Sequence, residues 1–407
     1  MSSPPDWARF FARDDWRRRR YSAFIPAEPT IDLQHGDLEC RFTYPVDDGV
    51  SSGYLDAPWR LANARTKPAR YEVLTTDLKE HEIVAGSLAK ARRALDLAVA
   101  AAEPGQAIAF NSACVSDMIG EDCGALARAC PRSARVRWRP SDGGDIAATA
   151  AREALDGHPR PVGRDAGSVA LLGFFQGRAL GELRELLSVA GASADACVIP
   201  CLSRACVLRA MRAQRLIAVR GGIHDDSVRA FEAACGREAA RPNAPYGWAG
   251  TESWLRSALD GALDAVRERA IAGIFERALR RAEGLRRRAR RHCLGFVVEH
   301  GGEACLDDPA QNAGVPLASV IREFGFSIEI IPGPFADPDE LEARLKAAKC
   351  QAVYSDYRFD ARLSRAGKAR FSLAMFEPGI AGASRTCERL LRVCRMDFYR
   401  LYAGFLS

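Results

Sequence analysis

The sequence predicts an α/β protein of two or three Rossmann-like parallel-sheet domains around a central interface, with helices at the C-terminus. Two observations carry this. Strand-length apolar runs alternate with helical stretches from about Ser168 to the end, and the alternation occurs twice, on either side of an Arg-rich helical segment. The size agrees: 407 residues, 48% of them hydrophobic, exceed what a single core usually organises.

The N-terminal part reads as an extended arm, irregular to about Arg70. A helix over Leu78–Ala102, the strand AIAFNSAC, a helix starting near Gly120 and the strand ARVRWRP then form a first α/β layer. From Ser168 the chain runs SVALLGF, GELRELLSVAG, ACVIPCL, SRACVLRAMRAQ and RLIAVRGG, which is strand and helix in alternation. Joints rich in Pro and Gly lie at His158–Gly167 and Arg241–Gly250, and a long helical connection follows over Glu252–Arg291. The pattern then repeats as LGFVVEHGG, PLASVIREFG, SIEIIPGP, DPDELEARLKAAK, QAVYSDY and FSLAMFEPG. Residues Ser384–Ser407 read as helices packing back on an earlier domain. The expected domains are 1–165, 166–290 and 291–407.

Composition removes several classes of function. No stretch supplies the roughly 20 apolar residues of a membrane span, and the acidic and arginine-rich start lacks the apolar run of a signal peptide, so the expected location is the cytoplasm. Thirteen cysteines without a compact repeated spacing do not make a disulfide scaffold. The net charge of +6 comes from Arg17–Arg20 and Arg286–Arg291, read as solvated faces because no aromatic–basic module accompanies them; no nucleic-acid partner is expected. Gly173 and Gly177 sit at a strand-to-helix turn without the third glycine of a dinucleotide fingerprint, and there is no Walker A run. The chain itself is expected to hydrolyse no ATP.

Two stretches carry chemistry. LTTDLKEHEIVAGSLAKARRAL supplies Thr75, Thr76, Asp77, Glu80 and Gly86; IAFNSACVSDMIGEDCGALAR supplies Cys114, Ile119, Gly120, Glu121 and Asp122. Cys114 falls at the carboxyl end of a strand, where open α/β sheets place their ligands, and Gly120 is read as permitting a close backbone approach. Cys123 reads as helix packing, and Cys197, Cys201 and Cys206, in a C-x3-C-x4-C spacing, as core packing rather than a zinc site. His224, a loop histidine followed by two acids, reads as a solvated or capping residue.

Together the two stretches resemble the subunits of nitrogenase component 1 and its relatives, which pair a TTD-x-x-E-x-x-x-x-G segment with a strand ending in Cys and an I-G-[DE]-D helix start. Later echoes are LLGFFQGRALGELRELLSVAG and PYGWAGTESWL, so the resemblance runs from about Cys40 onward. It implies an iron–sulfur cluster, [4Fe-4S] or P-cluster-like, at a subunit interface, with Cys40 and Cys114 as metal ligands. A third family cysteine is replaced, Leu61 standing where it would fall. The α-type cofactor ligands are also missing, with no cysteine between Cys206 and Cys235 and no histidine after His300. The resemblance therefore implies a β-type subunit of a nitrogenase-like reductase, such as a methylthio-alkane or tetrapyrrole reductase. Its expected partners are a homologous α-type subunit, in an α2β2 heterotetramer, and an ATP-hydrolysing iron protein. A cofactor-assembly scaffold subunit and a metal-free α/β binding protein are the alternatives.

Overall fold

The computed structural model of the protein describes residues 6–11, 25–26, 29–38, 71–139, 163–174, 177–199, 201–222, 224–259, 263–298, 302–357 and 360–403. Cys40 and Leu61 lie outside the described residues. Three parallel sheets, each with its own helices, form three α/β domains.

The first sheet grows from one fully buried strand. In AIAFNS every side chain is buried, as in a strand covered on both faces. The short β1 (Ile25–Pro26) precedes β2 (Thr30–His35), β3 (Tyr71–Thr75), β4 (Ala107–Ser112) and β5 (Val136–Arg139), and the last four pair in the order β3-β2-β4-β5, all parallel. The connections carry α1 (Glu80–Ala85), α2 (Leu88–Ala101), α3 (Cys114–Met118) and α4 (Cys123–Ala129). Ala91, Leu95 and Ala98 recur at helical spacing along α2 and pack on Ile31, Leu33, Ile108 and Phe110.

Several elements differ from the sequence expectation. The arm expected to be irregular contains β2, which occupies the middle of the first sheet between β3 and β4. Its sequence TIDLQH interleaves polar residues that neighbouring strands satisfy: Asn111 on β4 donates to Asp32. The helix expected over Leu78–Ala102 is two helices, broken where Gly86 adopts φ +91° and Ser87 turns its N–H and hydroxyl to Glu121.

The second sheet contains β6 (Asp165–Leu172), β7 (Ser193–Val198) and β9 (Ala213–Ala218) in the order β7-β6-β9, with α5 (Arg178–Val189), α6 (Arg204–Arg212) and α7 (Asp225–Cys235); β8 (Cys201–Leu202) pairs with β1. The expected long connection is again two helices, α8 (Trp248–Ala258) and α9 (Ala265–Ala289), because Asp264 caps a new start by accepting from the N–H groups of Val266 and Arg267. Helix α9 serves two cores: Ile271 and Phe275 pack with the second sheet, Ala282 and Ala289 with the third. The third sheet, β11-β10-β12-β13, uses β10 (Cys293–Val298), β11 (Ser327–Pro332), β12 (Ala352–Tyr354) and β13 (Ala369–Phe371). Its helices are α10 (Leu317–Phe324), α11 (Pro338–Ala347), α12 (Ala361–Arg365), α13 (Ile380–Cys394) and α14 (Phe398–Tyr402). Among the described residues no helix is long and apolar enough to cross a membrane.

A buried carboxylate ties the second domain to the third. The Glu377 side chain is fully buried and accepts from Arg178 of α5 at 2.9 and 3.0 Å, from Arg389 of α13 at 2.7 Å and from Arg385 of α13. Burial alone would raise its pKa, but hydrogen bonds from Arg385, Arg178 and Arg389 pull it down to about 2. Glu182 of α5 adds a second tie by accepting from Ala381 N–H, at the start of α13, at 2.8 Å. Glu377→Gln leaves three guanidiniums around a neutral amide and is expected to destabilise the protein by about 3 kcal/mol, read as a lower denaturant midpoint. An unchanged midpoint would mean that the three arginines are held by water and that this tie contributes nothing.

Candidate functional site

In a parallel sheet the chain leaves every strand at the same edge, and a crevice opens where neighbouring strands send their connections to opposite faces. In the first sheet β2 lies between β3 and β4, so the switch falls between the carboxyl ends of β2 and β4. His35 is the last residue of β2, and Cys114 follows β4 by two residues at the start of α3. The sequence-derived cysteine therefore stands at the topological switch point, where its thiol is free and exposed. Beneath it the edge is polar and closed.

His35 is fully buried and bonded at both ring nitrogens. Nδ1 lies 3.1 Å from the Thr76 hydroxyl, and Nε2 lies 3.0 Å from Glu121 Oε2 and 3.0 Å from the Ser87 hydroxyl. Ser87 also donates to both carboxylate oxygens, at 2.9 and 2.8 Å, and its backbone N–H donates to Oε1. Thr76 in turn accepts from Gly36 N–H at 3.1 Å. Burial lowers the pKa of His35 against the pull of Glu121. Burial would raise that of Glu121, but the bonds from Ser87 and His35 leave it below the ordinary carboxylate value. The neutral ring thus donates from Nε2 to an ionised Glu121, and Nδ1 accepts from Thr76.

The ligand atoms of His35, Glu121 and Cys123 lie within 4.8 Å of one another. These three could gather round a small cation only by dismantling the bonds just described, because Ser87 and His35 occupy both oxygens of Glu121. Cys123 is buried against Leu95 and Phe110, and burial, reinforced by Glu121, Asp117 and Asp122, pushes its thiol up to about 12. It is a packing residue, as its sequence suggested.

Large apolar side chains are exposed in the connections at the Cys114 edge, beside charged ones such as Lys79 and Glu80. Leu38 follows β2, Leu74 is on β3, Val84 and Leu88 lie on α1 and α2, and Met118 and Ile119 end α3; all six are exposed, Val84 to 89% and Met118 to 83%. Gly120, read as permitting a close backbone approach, meets no atom within 4 Å of its Cβ position; its φ of +76° is what requires glycine.

The other sequence candidates separate from this edge. Cys197 is buried in the second core and Cys206 is half-buried on α6, where Arg209 donates to it. His224 stands at the N-cap of α7 but is buried rather than solvated, beside Gly173. Cys40 lies outside the described residues, five positions after His35 in sequence. Sequence reasoning passed over His35 and Ser87, for which the only local signals were a histidine before Gly36 at a strand end and a serine after Gly86.

The model of the family "nitrogenase component 1 type oxidoreductase" matches residues 51–375. The chain belongs to that family of nitrogenase-like oxidoreductases. It is similar in fold to the solved structure "Nitrogenase Cp1 at pH 5", with a TM-score of 0.67 and 14% identity over 98% of this chain and 91% of that one. To "Nitrogenase Cp1 at pH 6.5" it is similar with a TM-score of 0.66 and 13% identity over 98% and 92%. No curated protein matches.

The lowered pKa of His35 and of Glu121 both mean that the unfolded chain binds more protons, so stability falls on acidification. The contribution of His35 sets in as pH drops below the ordinary 6.5, and that of Glu121 below the ordinary 4.5. In thermal unfolding followed against pH, His35→Gln is expected to flatten the part of the curve that begins near 6.5. A curve as steep as that of the unaltered protein would contradict the buried neutral ring.

Proposed function

We propose that this chain is the β-type, electron-relaying subunit of a nitrogenase-like reductase. Cys114 and Cys40 serve as thiolate ligands to an iron–sulfur cluster, [4Fe-4S] or P-cluster-like, shared with a homologous α-type subunit in a cytoplasmic α2β2 assembly. The observation that carries the reading is the exposed Cys114 thiol at the switch point of the first sheet, set among exposed apolar side chains. A thiolate cluster needs its ligands to converge and its surroundings to be dry. The described part of this chain brings one accessible thiol to that edge, so the remaining ligands fall to Cys40 and to the partner.

Bound there, the cluster supplies one-electron transfer between an ATP-hydrolysing iron protein and an active site on the partner. The chain's own residues hold the cysteine at the edge and exclude water. Leu38, Val84, Leu88, Met118 and Ile119 become buried when the partner docks, lowering the local polarity. The β-type role is supported by the chain's own sequence, which has no cysteine between Cys206 and Cys235 and no histidine after His300 to hold a catalytic cofactor.

Cys114→Ala is expected to remove most of the cluster iron from anaerobically purified complex while the circular dichroism of the α/β fold is kept. Cys123→Ala, which alters only core packing, is expected to keep the iron. Full iron content in Cys114→Ala would remove the ligand assignment.

A further inference from the structure

The segment that carries Cys114 cannot hold its own shape. Helix α3 has five residues, far short of the roughly 12 to 15 that an isolated helix needs to be even marginally stable. Its placement depends on outside contacts, and those on its two sides lead to one residue.

On the near side, the backbone carbonyl of His35 accepts from Ala113 N–H at 2.9 Å and from the Ser116 hydroxyl at 3.2 Å, bracketing Cys114. On the far side, the chain turns at Gly120, and Glu121 N–H donates to Ser116 O at 3.1 Å. The Glu121 carboxylate then returns to His35 Nε2. Ser87 joins the α1–α2 connection to the same carboxylate, and Thr76 joins the β3–α1 connection to the other ring nitrogen. One buried histidine at the end of β2 thus fixes the loop holding Cys114 by its main chain from below and by its side chain from beyond.

We propose that His35 and Glu121 are positioning residues for Cys114. With His35 buried and the Glu121 side chain nearly so, they act through the loop and hold the exposed thiol in the one orientation from which it can ligate a cluster completed by a second chain. This rests on the cluster reading, but the orientation of the thiol is measurable without a cluster.

The test compares Glu121→Ala and Glu121→Gln in the full chain. With the cluster present, the readouts are the EPR line shape and midpoint potential of the complex; with it absent, the readout is the rate at which iodoacetamide alkylates Cys114, resolved by peptide mass spectrometry. Glu121→Ala, with its circular dichroism unchanged, is expected to alter the EPR signal and shift the alkylation rate several-fold. Glu121→Gln, which keeps a carbonyl acceptor for His35, is expected to restore most of both. If Glu121→Ala does not fold, Ser87→Ala removes one donor from the same carboxylate and is read on the same scale. Unchanged EPR and unchanged alkylation in the folded variant would overturn the proposal. If the unaltered complex holds no iron, the cluster reading fails by itself, and the alkylation rates alone decide whether the network positions the thiol.

Discussion

A parallel sheet gathers the ends of its strands at one edge, and those ends must be closed by side chains because no further ladder is there to close them. In the first sheet that closure is the Thr76–His35–Glu121–Ser87 network, four buried or nearly buried polar groups that satisfy one another. The order of the connections, the break between α1 and α2 and the seat of α3 are all arranged round it. A closed polar floor lies beneath an open thiol: the buried network fixes the geometry of the edge, and the Cys114 thiol stays accessible above it.

The same winding recurs in all three domains. Each sheet sets its first strand in the interior, with the second strand on one side and the third on the other, as in β3-β2-β4, β7-β6-β9 and β11-β10-β12. Each therefore has a switch point at its carboxyl edge, and only the first carries an exposed cysteine among the described residues. The second and third domains are joined by α9, which contributes side chains to both cores, and by Glu377, whose charge is met by guanidiniums from both. These ties pack the second and third domains against each other through both apolar and ionic contacts.

Much of the fold was legible because parallel strands buried on both faces write themselves as apolar runs. SVALL, ACV, RLIA and LGFVV were all recognisable without their partners. Strand β2 was not, since TIDLQH owes its place to Asn111 and to the strands beside it. The split at Gly86 and Ser87 was equally hidden, because the group that imposes it, Glu121, lies 34 residues away. Cys114 could be found from its motif and its strand-end position. His35 could not, for its three side-chain partners stand 41, 52 and 86 residues distant, and a network of that kind has no period in sequence.

The central claim is that the open edge bearing Cys114 is one half of a cluster site completed by a homologous chain. The most direct test is the iron and acid-labile sulfide content, with the EPR spectrum, of the protein expressed with its neighbouring genes and purified anaerobically. Several iron and sulfide atoms per protomer, co-purifying with a homologous subunit, are the expected result. A stable chain that purifies alone and without iron would contradict the account, and would mean that the nitrogenase-type fold here serves something other than electron relay.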